Sequence, residues 1–378
     1  MDYIREFDIR LDREMYYAGE VVAGHVFLET TENFKLKCIR IAMRGKAHAE
    51  WKAIISGDQR NIEDDQYFID ERDIIYGKEK YESSVPILPR GIHQYAFKFQ
   101  LPESSLPCSF ESKPGYIRYY IKVTLDVPYA SPPQGTKYFT IIGPHIDCMD
   151  EQYLKPVSGL NKKTTCCLCC KRGPIALRCQ LLRSAYVCGE SIKLKATIDN
   201  QGEEDVRLKV RLFQHVEYFI FRGVLGMSKD INHLILELTG DIVAPCTQIK
   251  WDSADSLVVP IMPPSLSSSC KLIHINYVLK VSLEFETKSD DLPMHFPITI
   301  ATVPFRIPNS NTQPNIYYDV ASEHAEGGMY IAPEFLLGQV YDGANPETIV
   351  LYRPVYVAVR KPPQEEAKAG GSSTPKSQ

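Results

Sequence analysis

A chain of 378 residues with 44% hydrophobic and 24% charged side chains is long enough for two domains with cores of their own and a tail. Its net charge of −4 argues against nucleic acid, whose phosphates require a clustered cationic surface. No apolar run approaches the roughly 18 residues of a membrane-crossing helix, and the charged start Met1-Asp2-Tyr3-Ile4-Arg5-Glu6 lacks the apolar stretch of a signal peptide.

Period-two alternation dominates. Phe7, Ile9 and Leu11 alternate with Asp8, Arg10 and Asp12, and the turn Ala18-Gly19-Glu20 follows. Downstream of Gly57-Asp58, the run Glu63-Asp64-Asp65 reads as a solvated loop. Ile117, Tyr119, Ile121, Val123 and Leu125 alternate with Arg118, Tyr120, Lys122, Thr124 and Asp126, before the turn Pro132-Pro133-Gln134-Gly135. In the second half Ile192, Leu194, Ala196 and Ile198, then Val206, Leu208, Val210 and Leu212, then Tyr277, Leu279, Val281, Leu283 and Phe285 follow the same rule. Successive side chains of a strand point to opposite faces, so each run predicts a half-buried antiparallel strand. Many short strands parted by Gly- and Pro-rich turns imply a β-sandwich.

The chain says this twice. Arg13, Tyr16, Gly19 and Glu20 recur as Arg183, Tyr186, Gly189 and Glu190, and Tyr119, Lys122, Val123 and Leu125 recur as Tyr277, Lys280, Val281 and Leu283. Two shared landmarks in one order predict an all-β protein of two tandem antiparallel, immunoglobulin-like sandwiches. They are placed at 1–146 and 173–307, with a linker at 147–172 and a tail at 308–378. From Pro308 onward the pattern decays and the tail is expected to be largely disordered; its end, from Pro362-Pro363 to Gln378, has nothing to bury. Two like surfaces with a hinge favour a scaffold over a single catalytic pocket.

Catalytic signatures are absent from the sequence: there is no His-Glu-x-x-His, Gly-x-Ser-x-Gly, Walker loop or Gly-x-Gly-x-x-Gly. The expectation is a protein without catalytic residues, cofactor or metal. His215 and His274 lie within strand patterns, where a lone histidine is ordinarily structural. Eleven cysteines, four of them at Cys166, Cys167, Cys169 and Cys170, fit reduced thiols better than a secreted disulfide framework. Zinc in that cluster lacks the second ligand pair such sites use, with only Cys179 and Cys188 nearby. The flanking Lys162, Lys163, Lys171 and Arg172 suit S-acylation beside an anionic membrane; packed reduced thiols are the competing reading.

Several ordered motifs carry a family resemblance. Leu101-Pro102, Leu106-Pro107-Cys108-Ser109-Phe110-Glu111 and Gly115-Tyr116-Ile117-Arg118-Tyr119 resemble the approach to a long core strand in arrestins. Phe139-Thr140-Ile141-Ile142 with Ile146-Asp147 is similar to the end of their first domain. The cysteine cluster, Gly173-Pro174-Ile175 and Tyr186 to Glu190 resemble the interdomain passage of α-arrestins. Pro264-Ser265-Leu266 with Cys270, and Ile300-Ala301-Thr302-Val303-Pro304, are similar to the latter half of their second domain. The resemblance covers about residues 1–310. It implies a cytoplasmic adaptor that binds cytoplasmic tails of membrane receptors or transporters, with recruitment to plasma membrane or endosomes.

It also implies a partner, a HECT-type ubiquitin ligase whose WW domains read Pro-Pro-x-Tyr in the tail. No intact copy exists here. The nearest are Arg353-Pro354-Val355-Tyr356 and the run ending in Tyr341. Against a ligand role stands the reading that these tyrosines lie in a disordered tail or dock it onto a sandwich. Some α-arrestins bind thioredoxin through a cysteine of the second domain; the resemblance places Cys246 in a similar region, with a small apolar thiol near a strand end as the alternative.

Overall fold

The structure, a computed structural model, describes residues 3–81, 84–164, 166–167, 170–171, 173–222, 226–285, 292–308, 313–329 and 352–360. The alternating runs become strands, and the strands form two sandwiches. In the first, a sheet of Ile4–Leu11, Val21–Thr30 and Gly91–Gln100 faces one ordered Met15–Tyr17, Gln134–Ile142, Gly115–Asp126, Cys38–Ile55 and Asp58–Gly77. In the second, Val157–Lys163, Ile175–Leu181, Leu194–Asn200 and Thr247–Asp252 face Ala185–Tyr186, Leu292–Ile300, Ile273–Phe285, Val206–Ile220 and Met227–Val243. The inward positions of each alternation are the buried ones, Ile117, Tyr119, Ile121 and Val123 in one body and Tyr277, Leu279, Val281 and Leu283 in the other.

The repeated tetrad is the same device in both halves. Each tyrosine lies on a short strand paired in parallel with the last long strand of its sandwich, Tyr16 opposite Ile141 and Tyr186 opposite Ile300. The arginine sits over the tyrosine ring, 4.8 Å away for Arg13 and 4.2 Å for Arg183. It pairs at 3.1 Å with the glutamate, Glu20 or Glu190. The glutamate's other role is to accept the backbone N–H after the tyrosine, at 2.7 Å from Tyr17 and 2.8 Å from Val187. Closing that loop requires a left-handed residue, and Gly19 and Gly189 take φ of +80° and +87°.

The second landmark repeats too. Tyr119 Oη donates to the Pro107 carbonyl at 2.9 Å and Tyr277 Oη to the Pro263 carbonyl at 2.6 Å. The Arg183–Glu190 pair has side-chain exposures of 14% and 13%, against 52% and 32% for Arg13–Glu20. Glu190→Gln should therefore lower stability by about 1–3 kcal/mol and Glu20→Gln by well under about 1 kcal/mol, read by denaturant unfolding.

Three expectations need correction. The linker at 147–172 is in part a strand of the second sandwich, since Val157–Lys163 pairs with Ile175–Leu181 along its whole length. Glu63-Asp64-Asp65 is no loop but the middle of Asp58–Gly77, paired with Cys38–Ile55. The tail is not patternless, because Asn315–Val320 pairs antiparallel with Val355–Arg360; residues 361–378 lie outside the described residues.

Candidate functional site at the seam between the sandwiches

The tail hairpin is a strap across the seam. Tyr356, Val357 and Ala358 are all buried, a run possible only where a strand is covered on both faces. Val359 N–H donates to the Cys188 carbonyl of the second sandwich at 2.9 Å. Tyr356, 2% exposed, reaches the first sandwich. Its hydroxyl donates to the Gly327 carbonyl at 2.7 Å, with the Ser109 carbonyl 3.2 Å away. Burial holds the phenol proton on to well above the ordinary tyrosine range. The space left beside Tyr356, among Cys108, Met262 and Pro264, is about 10 Å³, room for at most one water.

Other strap residues bind both bodies. The Tyr352 ring stacks on Tyr138 at 5.5 Å, and its hydroxyl donates to the Phe139 carbonyl at 3.2 Å. The Tyr318 and Tyr17 hydroxyls lie 2.8 Å apart. On the second sandwich, the buried Gln214 amide imitates a strand: its Oε1 accepts Glu326 N–H at 2.7 Å and its Nε2 donates to the Glu326 carbonyl at 3.2 Å. The Glu326 carboxylate lies 2.9 Å from His233 Nε2.

Beneath the strap the sandwiches touch directly. Ser112 Oγ and Tyr218 Oη, both buried, are 2.7 Å apart. Asp64 accepts the backbone N–H groups of Phe221 and Arg222 at 2.9 and 3.2 Å, and Gln66 accepts that of Lys271 at 2.7 Å. Arg118 forks onto Glu111 with bonds of 2.7 and 2.9 Å. The pair is buried, with exposures of 8% and 3%, and Gly328 of the strap bridges to Glu111. Burial pushes the Glu111 carboxyl above the ordinary carboxylate range although Arg118 pulls it down. Away from the seam, the first sandwich's outer sheet face carries a groove of about 610 Å³ lined by Arg40, Arg44, Arg72 and Lys122. Asp70 and Asp126 answer three of these cations, so the groove is not a bare cationic site.

The residues singled out from sequence fare unequally. Of the degenerate ligand motif, Arg353 is exposed, Pro354 and Tyr356 are buried and Val355 opens the strap strand. A WW groove needs both the proline and the tyrosine, and with the strap docked neither Pro354 nor Tyr356 is presented to one. Tyr341 lies outside the described residues. Cys166, Cys167 and Cys170 lie in a short hairpin with Cys167 opposite Cys170, and Cys169 is outside the described residues. Cys246 is exposed, at φ +57° in the turn before Thr247–Asp252. His215 and His274 both lie on strands, as expected.

Sequence reasoning does not reach Gln214, Glu326 and Tyr352. Gln214 does leave a signal, as a polar residue at an inward position of an otherwise apolar alternation.

Comparison with known proteins places residues 6–147 in the family described as arrestin (or S-antigen), N-terminal domain, and residues 171–305 in the corresponding C-terminal domain. Among similar proteins, human arrestin domain-containing protein 4 is 28% identical over 296 residues, covering 77% of this chain and 69% of that protein. Arrestin domain-containing protein 17 of Caenorhabditis elegans is 26% identical over 304 residues, 77% of this chain and 68% of its own. Thioredoxin-interacting protein of Pongo abelii is 24% identical over 387 residues, 96% of each chain.

Proposed function

The chain belongs to the arrestin family, and from that membership we propose that it is an adaptor for membrane-protein cargo, working in the cytoplasm on the tails of receptors or transporters. The observation that carries this reading is the pair of open sheet edges. Each sandwich ends its larger sheet in a long strand, Asp58–Gly77 in one and Met227–Val243 in the other, with one side of the ladder left unpaired in the sheet order among the described residues. An extended peptide can add to such an edge, backbone hydrogen bonds supplying affinity and alternate side chains selectivity. Lipidation of Cys166, Cys167, Cys169 or Cys170 beside Lys162 and Lys163 would add peripheral attachment at plasma membrane or endosomes. Exposed Cys246 is the residue through which a thioredoxin contact, the interaction for which the Pongo abelii relative is named, would be made here.

Delivery of that cargo to a WW-domain HECT-type ubiquitin ligase, and so to endocytic sorting, requires Pro354 and Tyr356 to leave the seam. Their burial favours a second reading, a trafficking or signalling scaffold that acts without direct ligase recruitment through this motif. Val359→Pro separates the two. Proline removes the N–H that anchors the strap to Cys188 yet leaves residues 353–356 unchanged. On the ligase reading, Val359→Pro raises capture by isolated WW domains several-fold over wild type, and adding Tyr356→Ala abolishes the gain. Equal background capture by all three proteins would leave only the second reading.

A further inference from the structure

The hairpin of Cys38–Ile55 and Asp58–Gly77 sets His48 opposite Asp65 and Glu50 opposite Glu63. Residues two apart on a strand share a face, so His48 and three carboxylates meet on one side of the sheet, with Lys46 paired to Asp65 at 3.2 Å. Two carboxylates directly opposite each other repel, and the neighbour donating to Glu50 is the neutral amide of Asn61.

The histidine is held in one orientation. Its Nδ1 lies 2.8 Å from Asp65 Oδ1, and its ring packs on Tyr116 with centroids 5.0 Å apart. With Nδ1 taken up by Asp65, the ring atom turned towards the other carboxylates is Nε2, which faces Glu50 Oε2 from 3.4 Å. Two donors each about 2.1 Å from a tetrahedral zinc ion lie about 3.4 Å apart, which is this separation. Glu63 supplies the third donor: the ligand atoms of His48, Glu50 and Glu63 all lie within 4.8 Å of one another. Glu63 is exposed, so closing the remaining distance of up to about 1.4 Å (4.8 less 3.4) takes only side-chain rotation. Asp65 on the far nitrogen is the support that metal-binding histidines ordinarily have.

We propose that His48, Glu50 and Glu63 form a divalent-cation site of zinc-like donor chemistry, oriented by Asp65 and open to water at the fourth position. The site lies on the strand whose Asp64 and Gln66 hold the second sandwich, so an ion here stiffens the hairpin beside the seam.

The test uses the full chain, chelator-stripped and reduced, with Cys166, Cys167, Cys169 and Cys170 changed to serine to remove competing thiols. Calorimetric titration with Zn²⁺ should give one equivalent bound. Glu63→Gln, at an exposed position and checked for an unchanged melting temperature, should weaken it at least about tenfold, and Asp65→Asn by about 10- to 100-fold. Uptake unaffected by Glu63→Gln overturns the proposal. So does a failure to bind Zn²⁺ with both His48 ring nitrogens protonated at neutral pH by nitrogen-15 NMR, which would make the group an imidazolium bridging two carboxylates.

Discussion

Tyr356→Ala should lower the unfolding free energy of the strap by about 3–5 kcal/mol, the cost of emptying a large aromatic site. It should show first as lost hydrogen-exchange protection at residues 355–360. The ring fills the seam almost without residue, and its hydroxyl serves a buried carbonyl, Gly327, at 2.7 Å. The strand keeps its pairing with Asn315–Val320 and the Val359 bond to Cys188, but it loses the aromatic ring that fills the seam. The cost is capped by the strap's own docking free energy, because detachment relieves the cavity. Tyr356→Phe isolates the polar part: the ring stays, one buried acceptor loses its donor, and the loss should be about 1–3 kcal/mol. The expected order of protection is wild type, then Phe, then Ala. An alanine variant that keeps full protection at 355–360 would mean that Tyr356 is not what secures the strap.

The two sandwiches are legible because burial in their core strands largely follows period two and because Arg13 to Glu20 and Arg183 to Glu190 spell one turn twice. The strap was harder to see. Val355-Tyr356-Val357-Ala358-Val359 is a β-forming run, but its partner Asn315–Val320 lies a long way back in sequence, and the preceding Pro354 resembles tail composition. A ligand motif has to be accessible, and here Pro354 and Tyr356 are buried; sequence spacing does not say which surface covers a side chain. The acidic run at Glu63 failed for another reason. Within Asp58–Gly77 only Ile69 is buried, so no apolar alternation marks the strand. Register alone then brings His48 to Glu63, and register is invisible without the partner strand.

Arg118→Met should cost about 3–5 kcal/mol at neutral pH, because it strands a carboxylate that is 3% exposed. The loss is of pairing, not packing: methionine retains much of the arginine's apolar stem beside the Tyr116 ring, which lies 3.5 Å from the guanidinium carbon. Adding Glu111→Leu should therefore restore stability to within about 1–2 kcal/mol of wild type. The pH dependence has a definite sign. Burial holds the folded Glu111 pKa above its unfolded value, so its contribution is fully present below the unfolded pKa and is lost as pH rises through the folded one. Removing the cation lifts the folded value further. The single variant should accordingly gain on wild type as pH falls towards the glutamate range near ~4.3, while the double variant should show no such convergence. The strap couples this pair to the first prediction, since Gly328 bridges to Glu111. With the strap released by Val359→Pro, water reaches the carboxylate and Arg118→Met should cost clearly less, a non-additivity that denaturant unfolding of the four proteins would measure. Strict additivity would mean that the strap does not keep the pair dry.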